Sequence, residues 1–390
     1  MRRQPAGLVV RDEGTVPVHV SSQEARLPLA LAVVGCGAVI EGLYRGALKQ
    51  LESRRIAQVI ALVDPDPVRI ARLRRHFLRA RAFSSPSEAF AHIRPDLTII
   101  ASPPARHAEQ TLEAFMAGSD VLCEKPMATS VADAERMVAA AHAAERVLAA
   151  GMFRRLFPCL AAARALLAAG ACGDEISFTY REGSVYNWPV STDAPFRRAT
   201  SGGGVLIDVG SHVLDFLSAL FGAPTVVDYA DDAQAGGVET NCQIDLAFPA
   251  ARGSVQLSWS QPLLTELRIH GSAGELALDP ARLDSVRWRR HGGRWQSVAG
   301  SVTWPRDLDP GGLRRTARSH YDCIYHQLVL ALRAAVRREP VPTTGEEALT
   351  TVRTIDACYR LAKPLRLPWL TAAEQERARA RHWTRRPWAA

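Results

Sequence analysis

Leu29-Ala-Leu-Ala-Val-Val34-Gly35-Cys36-Gly37-Ala38-Val39-Ile40 decides the fold of this chain of 390 residues. An unbroken apolar run of this length reads as a strand covered on both faces. It ends in Gly-x-Gly-x-x-Ile. Gly35 permits a tight turn, and Gly37 lets the backbone approach a pyrophosphate at the N-terminus of the next helix. A glycine pair alone is weak evidence. Here it follows an apolar strand and opens a helix, so Gly35, Gly37, Ala38, Val39 and Ile40 are candidate dinucleotide contacts. Ile40 is bulky where a small residue usually allows close helix–strand packing. Either the helix sits further out or small neighbours accommodate the side chain.

Outward from this stretch the pattern repeats. Val59–Val63, Leu97–Ala101, Val121–Cys123 and Val147–Ala150 are further apolar strands, with helices expected over about 39–51, 67–80, 106–117 and 130–144. Strand alternating with helix implies a doubly wound parallel sheet over residues 29–152. The second strand ends in Asp64, an acid placed to accept hydrogen bonds from an adenosine ribose and to repel a 2′-phosphate, which favours NAD over NADP. The alternative for Asp64 is a helix cap before Pro65 and Pro67. The third strand leaves through Ala101-Ser102-Pro103-Pro104, a stiff loop suited to border the nicotinamide. His107 either joins that border or packs beneath the loop. The fourth runs into Asp120-Val-Leu-Cys-Glu124-Lys125-Pro126. It delivers Glu124 and Lys125 to the carboxyl end of the sheet, where ligands of α/β proteins sit. A positioned lysine there can move a proton.

The second half changes character. A helix near 156–169 is followed by strands over 175–181, 225–231, 239–248, 253–260 and 264–271, joined by glycine turns and interrupted by a helix over 204–221. Successive strands without helices between them indicate an open, mostly antiparallel sheet in an α+β domain, residues 153–368, closed by helices over 316–337 and 345–362. Residues 1–28 read as a flexible extension and 369–390 as a basic tail. That tail, with Arg377, Arg379, Arg381, Arg385 and Arg386, carries much of the formal charge of +8. Elsewhere acids and bases are mixed, so nucleic-acid binding is not expected. No leader and no membrane span are expected either: acids and arginines interrupt the N-terminus, and no run of eighteen apolar residues occurs. The seven cysteines are scattered and never in CxxC spacing, which fits a reducing cytoplasm and gives no metal site.

With these motifs in place, the chain resembles the Gfo/Idh/MocA family, the glucose-fructose oxidoreductase and inositol 2-dehydrogenase group. The likeness rests on the Gly35/Gly37 turn, Ala101-Ser-Pro-Pro104 with His107, and Gly118–Pro126. It continues in Gly202-Gly-Gly-Val-Leu-Ile-Asp208-Val-Gly-Ser-His212 with Asp215, and in Gly271-Ser-Ala-Gly274, covering roughly 30–365. The resemblance implies that Lys125 is the catalytic lysine, with Asp208 and His212 as partners, and that Glu124 lies by the nicotinamide ribose. It also implies a Lys125–Pro126 peptide that is often cis. Asp208 and His212, four apart, share a helix face. Oxidising a secondary alcohol needs a proton acceptor while hydride leaves carbon, and a histidine beside a lysine suits that step.

For substrate, Arg154 or Arg155 follows the fifth strand and can reach the cleft. Tyr186, Trp188 and Phe196 suit the C–H face of a sugar ring or serve only as loop packing. Arg197 and Arg198 leave room for an anionic group such as a nucleotide diphosphate. The expected protein is an NAD(P)-dependent oxidoreductase acting on a sugar, nucleotide sugar or cyclitol. It is expected to be cytoplasmic, with a homo-oligomer formed through the second sheet. The rivals are an NAD-dependent glycosidase working by transient oxidation and a non-catalytic dinucleotide sensor.

Overall fold

In the computed structural model the described residues are 27–190, 192–234, 237–280, 283, 285–300 and 317–365, with Ala373 and Glu376. The N-terminal extension up to residue 26 and nearly all of the basic tail lie outside them.

A six-stranded sheet, order β3-β2-β1-β4-β5-β6, forms the first layer. Its strands are β1 (Leu29–Val34), β2 (Ala57–Val63), β3 (Arg81–Phe83), β4 (Leu97–Ile100), β5 (Asp120–Cys123) and β6 (Leu148–Ala150). All are parallel, and they alternate with α1 (Arg45–Ser53), α2 (Pro67–Arg74), α3 (Pro86–His92), α4 (His107–Met116) and α5 (Val131–Ala143). Sequence periodicity gives all of these except β3 and α3. β3 has three residues, two of them exposed, so it offers no apolar run to read. α3 is short, although Ser85 caps it and Pro86 opens it. The helix after the dinucleotide turn starts with a wide π-helical turn, Ile40–Tyr44, before α1.

The second unit contains α6 (Pro158–Ala168), β7 (Ile176–Gly183), α7 (Arg198–Ser201), a second π turn at Leu206–Gly210, and α8 (Ser211–Phe221). It continues with β8 (Thr225–Asp231), β9 (Asn241–Phe248), β10 (Ala251–Ser258), β11 (Leu263–His270), β12 (Gly274–Leu278), β13 (Ser285–Arg290) and β14 (Gln296–Ala299). α9 (His320–Arg337), α10 (Gly345–Leu361) and β15 (Lys363–Pro364) complete it. The nine-stranded sheet runs β14-β13-β12-β11-β7-β10-β9-β8-β15. It is mostly antiparallel, but β7 pairs parallel with β10 and β15 parallel with β8. β12, β13 and β14 escape the sequence reading because β12 and β14 are only five and four residues long and β13 is interrupted by arginines.

Three apolar clusters hold the fold together. One fills the space between the large sheet and α6 and α8. On the parallel sheet, α9 brings Ile324, Leu328 and Leu332 against Leu48 and Leu51 of α1, while α10 brings Ala348, Leu349 and Val352 to the opposite core with Met137 and Leu148. The C-terminal helices therefore complete the first unit's core. The stretch Arg198–Phe221 is long and apolar enough to cross a membrane by length and composition, yet most of it is buried inside the protein.

Candidate active site

A cleft of about 550 Å³ runs along the carboxyl ends of β1, β2, β4 and β5 and is closed by residues of the second unit. β1 lies between β2 and β4, so the cleft sits where the strand order reverses, the usual ligand position in such sheets. Gly35 is at φ +89°, and a Cβ there would lie 2.5 Å from the Ser102 amide nitrogen. Only glycine lets the two strand exits meet so closely. At Gly37 a Cβ would have nothing nearer than Arg69 Nη1 at 4.0 Å, so that position opens towards the cleft. Ala38, Val39, Ser102 and Pro103 line the same wall.

Asp64 sits at the tip of β2, 5% exposed. It accepts hydrogen bonds from the Cys36 amide (2.8 Å) and the Asp66 amide (2.9 Å). Asp66, not Asp64, caps α2 by accepting from the Val68 amide. Arg69, unnoticed in the sequence, borders the cleft 4.0 Å from Asp64 and 3.4 Å from Asp66. These residues fit a dinucleotide: a glycine turn with room for a pyrophosphate and a fixed carboxylate at ribose height.

Two expected cofactor contacts need correction. Ile40 is fully buried in the core between α1 and the sheet and does not reach the cleft. His107 is 1% exposed. Its ring nitrogens lie 2.9 Å from the carbonyls of Pro126 and Ser102, so it ties the two cleft-forming loops together from beneath. Burial lowers its pKa, partly offset by those carbonyls.

At the centre, Lys125 Nζ lies 2.6 Å from Asp208 Oδ1 and donates to the Asp208 carbonyl at 3.1 Å. The Lys125–Pro126 peptide is cis. Asp208 belongs to the π turn and His212 to the first turn of α8. His212 is 6% exposed. It sits behind Asp208, its ring edge-on to Phe153 at 5.2 Å, and its buried Nδ1 has no hydrogen-bond partner. Burial, then Lys125, Arg154 and His320, hold its pKa well below the usual histidine value. Lys125 and Asp208 line the cleft together, whereas His212, expected as their partner in the site, is buried beside Phe153 and does not line it.

Glu124 lines the cleft beside Lys125 and is held by groups that sequence reasoning missed. Tyr44 Oη donates to its carboxylate, and Gln327 of α9 donates to Tyr44 Oη at 2.8 Å. The Lys125 amide donates to its other oxygen at 3.1 Å. Burial pushes the Glu124 carboxyl up, opposed by Tyr44 and Lys125. No local signal joins Tyr44 to Gln327, because the pairing depends on α9 folding back over the first sheet.

On the substrate side Tyr186 and Trp188 line the cleft with Trp259, a further residue the sequence did not single out. Arg154 does not line it. Its guanidinium makes two 2.8 Å bonds to Glu182, and Tyr180 Oη donates to the same carboxylate at 2.8 Å. Arg155 is likewise committed, to Asp215 at 2.7 and 2.8 Å and to Glu347 at 3.0 Å.

Residues 29–152 match the family model described as "Oxidoreductase family, NAD-binding Rossmann fold" (GFO_IDH_MocA), and residues 160–277 match the GFO/IDH/MocA C-terminal domain. Among curated relatives, D-glucoside 3-dehydrogenase of Escherichia coli (strain K12) is 28% identical over 219 residues, 55% of this chain and 60% of that protein. Trans-1,2-dihydrobenzene-1,2-diol dehydrogenase of Mus musculus is 29% identical over 226 residues, 56% of this chain and 65% of that protein. The matched region thus spans less than two thirds of those two relatives. The fold is also that of levoglucosan dehydrogenase in complex with NADH and levoglucosan, with a TM-score of 0.72 at 19% identity, covering 85% of this chain and 96% of that one. Aldose-aldose oxidoreductase from Caulobacter crescentus gives a TM-score of 0.71 at 23% identity, covering 85% and 97%. The dinucleotide turn, the Lys125–Asp208 pair and the two matched family models together establish that this chain belongs to the Gfo/Idh/MocA oxidoreductases, with an NAD-binding Rossmann domain.

Proposed function

We propose that this protein is an NAD-dependent dehydrogenase or reductase acting on a CH–OH carbon of a sugar or related cyclic polyol. Residues 29–152 hold the cofactor and 153–368 shape the substrate end. The observation that carries this reading is the Lys125–Asp208 pair at 2.6 Å in the cleft wall, backed by a buried imidazole with an unpartnered nitrogen. A pure binding module has no use for such a proton-handling group. An NAD bound in this cleft would supply the hydride acceptor for the alcohol carbon.

The protein's part is positional and electrostatic. Gly35, Gly37, Asp64, Ser102 and Pro103 hold the dinucleotide, and the Gln327–Tyr44–Glu124 chain fixes Glu124 for a ribose hydroxyl. The Lys125 ammonium, kept in place by Asp208, meets the reacting hydroxyl and stabilises the alkoxide. His212 is kept neutral by burial and its basic neighbours, so it adds no positive charge beside the Lys125 ammonium. Tyr186, Trp188 and Trp259 wall the site against water.

The protein works in the cytoplasm, with neither nucleic acid nor membrane as partner. This is supported by its seven free, buried cysteines and by the pairing of many arginines with acids, such as Arg268 with Glu266 and Arg289 with Glu275. It assembles as a homo-oligomer through the nine-stranded sheet, on which Arg181, Gln243, Arg252 and Gln256 stand exposed.

The test is a polyol and sugar screen that follows absorbance of the reduced cofactor, run with wild type and Lys125→Met. We expect turnover with at least one neutral sugar or cyclitol. Lys125→Met should lower kcat by about 10²–10⁴-fold, the range of a lost proton-transfer group, while NADH binding, read by fluorescence, stays intact. Equal turnover by the variant would refute the assignment.

A further inference from the structure

The cleft wall beyond Asp208 has a chemical character that narrows the substrate. Resting on the dehydrogenase reading above, we propose that the substrate is a neutral glycoside whose aglycone is apolar and aryl-sized, seated against Tyr186, Trp188, Val190 and Phe196.

Three observations converge. The first is a preformed aromatic wall. The Tyr186 ring meets Trp259 edge-on at 4.9 Å and Phe196 at 5.2 Å, and Phe196 meets Trp259 at 6.3 Å. Mutual packing of this kind fixes ring orientation before any ligand arrives. Tyr186 also feels the Asp208 carboxylate, which helps to raise its pKa behind the larger effect of burial. The wall therefore begins at the reacting end of the cleft.

The second is exposed apolar surface continuous with that wall. Val185, Trp188, Val190 and Phe196 are 63%, 39%, 46% and 42% exposed. Four large apolar side chains thus face water within one short segment at the cleft mouth, and Trp188, Pro189, Val190 and Pro195 line the cleft itself. Apolar surface gathered beside a site marks a ligand contact more often than scattered exposed residues do. Trp188 reaches across to the first unit, its ring tip 3.9 Å from where a Gly42 Cβ would lie. The strip therefore roofs the opening through which a substituent on the reacting ring would project.

The third is charge. A nucleotide diphosphate or sugar phosphate needs cations, and among the described residues those near this end each face an acid or an aromatic ring, including Arg106 of the cleft wall, 3.7 Å from Glu109. Arg154 is held by Glu182, and Arg155 by Asp215 and Glu347. Arg197 pairs with Asp193 at 2.5 Å, Arg198 lies over the Tyr359 ring at 4.4 Å, and Lys125 is balanced by Asp208. An anionic substituent would enter beside the Asp208 carboxylate and along aromatic faces. A neutral, apolar one loses nothing there and gains buried area.

The experiment compares methyl and phenyl β-D-glycosides, in gluco and galacto configurations, with UDP-glucose. It measures kcat/KM with NAD⁺ and binding to the NADH complex by tryptophan fluorescence. In the configuration that turns over, the phenyl glycoside should exceed the methyl glycoside by about tenfold or more, with UDP-glucose below both. That ratio should fall towards one in Trp188→Ala and in Val190→Ser. Because both glycosides share the cofactor, the ratio is insensitive to any change in NAD binding. Equal phenyl and methyl values, or a preference for UDP-glucose, would overturn this inference and leave the dehydrogenase reading standing. Selective phenyl glycoside binding without turnover of any compound would support the aryl wall and overturn the dehydrogenase reading instead.

Discussion

At His212 the imidazole gives up water and meets basic neighbours, and both effects lower its pKa from 6.5. The sign of the linkage follows. The unfolded chain takes up a proton as pH falls below about 6.5, and the folded one resists it, so this contribution is intact above that pH and lost below it. His212→Gln removes the linkage. Between roughly pH 7 and 5.5, wild type should lose about 1 kcal/mol more stability than the variant, read from urea melts at the two pH values. An equal loss in both proteins would mean that the imidazole is solvated. Part of this residue scale was legible in the sequence: Lys125, Asp208, Asp64 and the glycine turn line one cleft, while His212 lies outside its lining. Tyr44, Gln327, Arg69 and Trp259 were not legible, because their importance lies in contacts made by distant segments. Arg154 was misread for the opposite reason, since its partner Glu182 lies on a strand with no local link to it.

The helix that carries Asp208 enters through three glycines, and the structure says why. A Cβ on Gly204 would lie 1.9 Å from the Glu239 carbonyl oxygen, and one on Gly203 would lie 1.8 Å from Tyr359 Oη. Glu239 Oε1 also accepts from the Gly204 and Leu206 amides at 2.9 and 3.1 Å, satisfying donors at the start of that helix. Nothing local in the sequence names the buried glutamate that makes this approach so close. Gly204→Ala should destabilise the protein by about 3 kcal/mol through overpacking, measured by chemical denaturation. It should also lower kcat by displacing Asp208. A neutral result would mean that the segment moves freely away from Glu239. Regular elements were readable where apolar periodicity was long. β3, α3 and β12–β14 were not, since short or arginine-bearing segments leave no periodic trace.

Across the whole molecule, Arg155 ties three segments together: its own turn after β6, α8 through Asp215, and α10 through Glu347. The Asp215 side chain is 1% exposed, and burial pushes its carboxyl up against the pull of Arg155. Arg155→Met would strand that carboxyl, costing about 3–5 kcal/mol near neutral pH. Protonation relieves a stranded acid, so the deficit relative to wild type should shrink as pH falls towards about 5, as thermal melts across that range would record. A deficit independent of pH would point to lost packing instead. The division into a parallel and a mixed sheet was clear from the order of strands and helices. The return of α9 and α10 onto the first sheet was not, because an amphipathic helix does not name the surface it covers.

The two wide turns, Ile40–Tyr44 and Leu206–Gly210, stand at the entrances of α1 and α8 and carry Tyr44 and Asp208. Such a turn amounts to an ordinary helix holding one surplus residue. Deleting a single codon there would wind it back to regular pitch and swing the side chains before the deletion by about 100° relative to those after it. Ile40, Tyr44, Leu206 and Ile207 are buried in the two cores, so loss or gain of one residue at these places would re-aim the chemistry only together with a repacking of the neighbouring core.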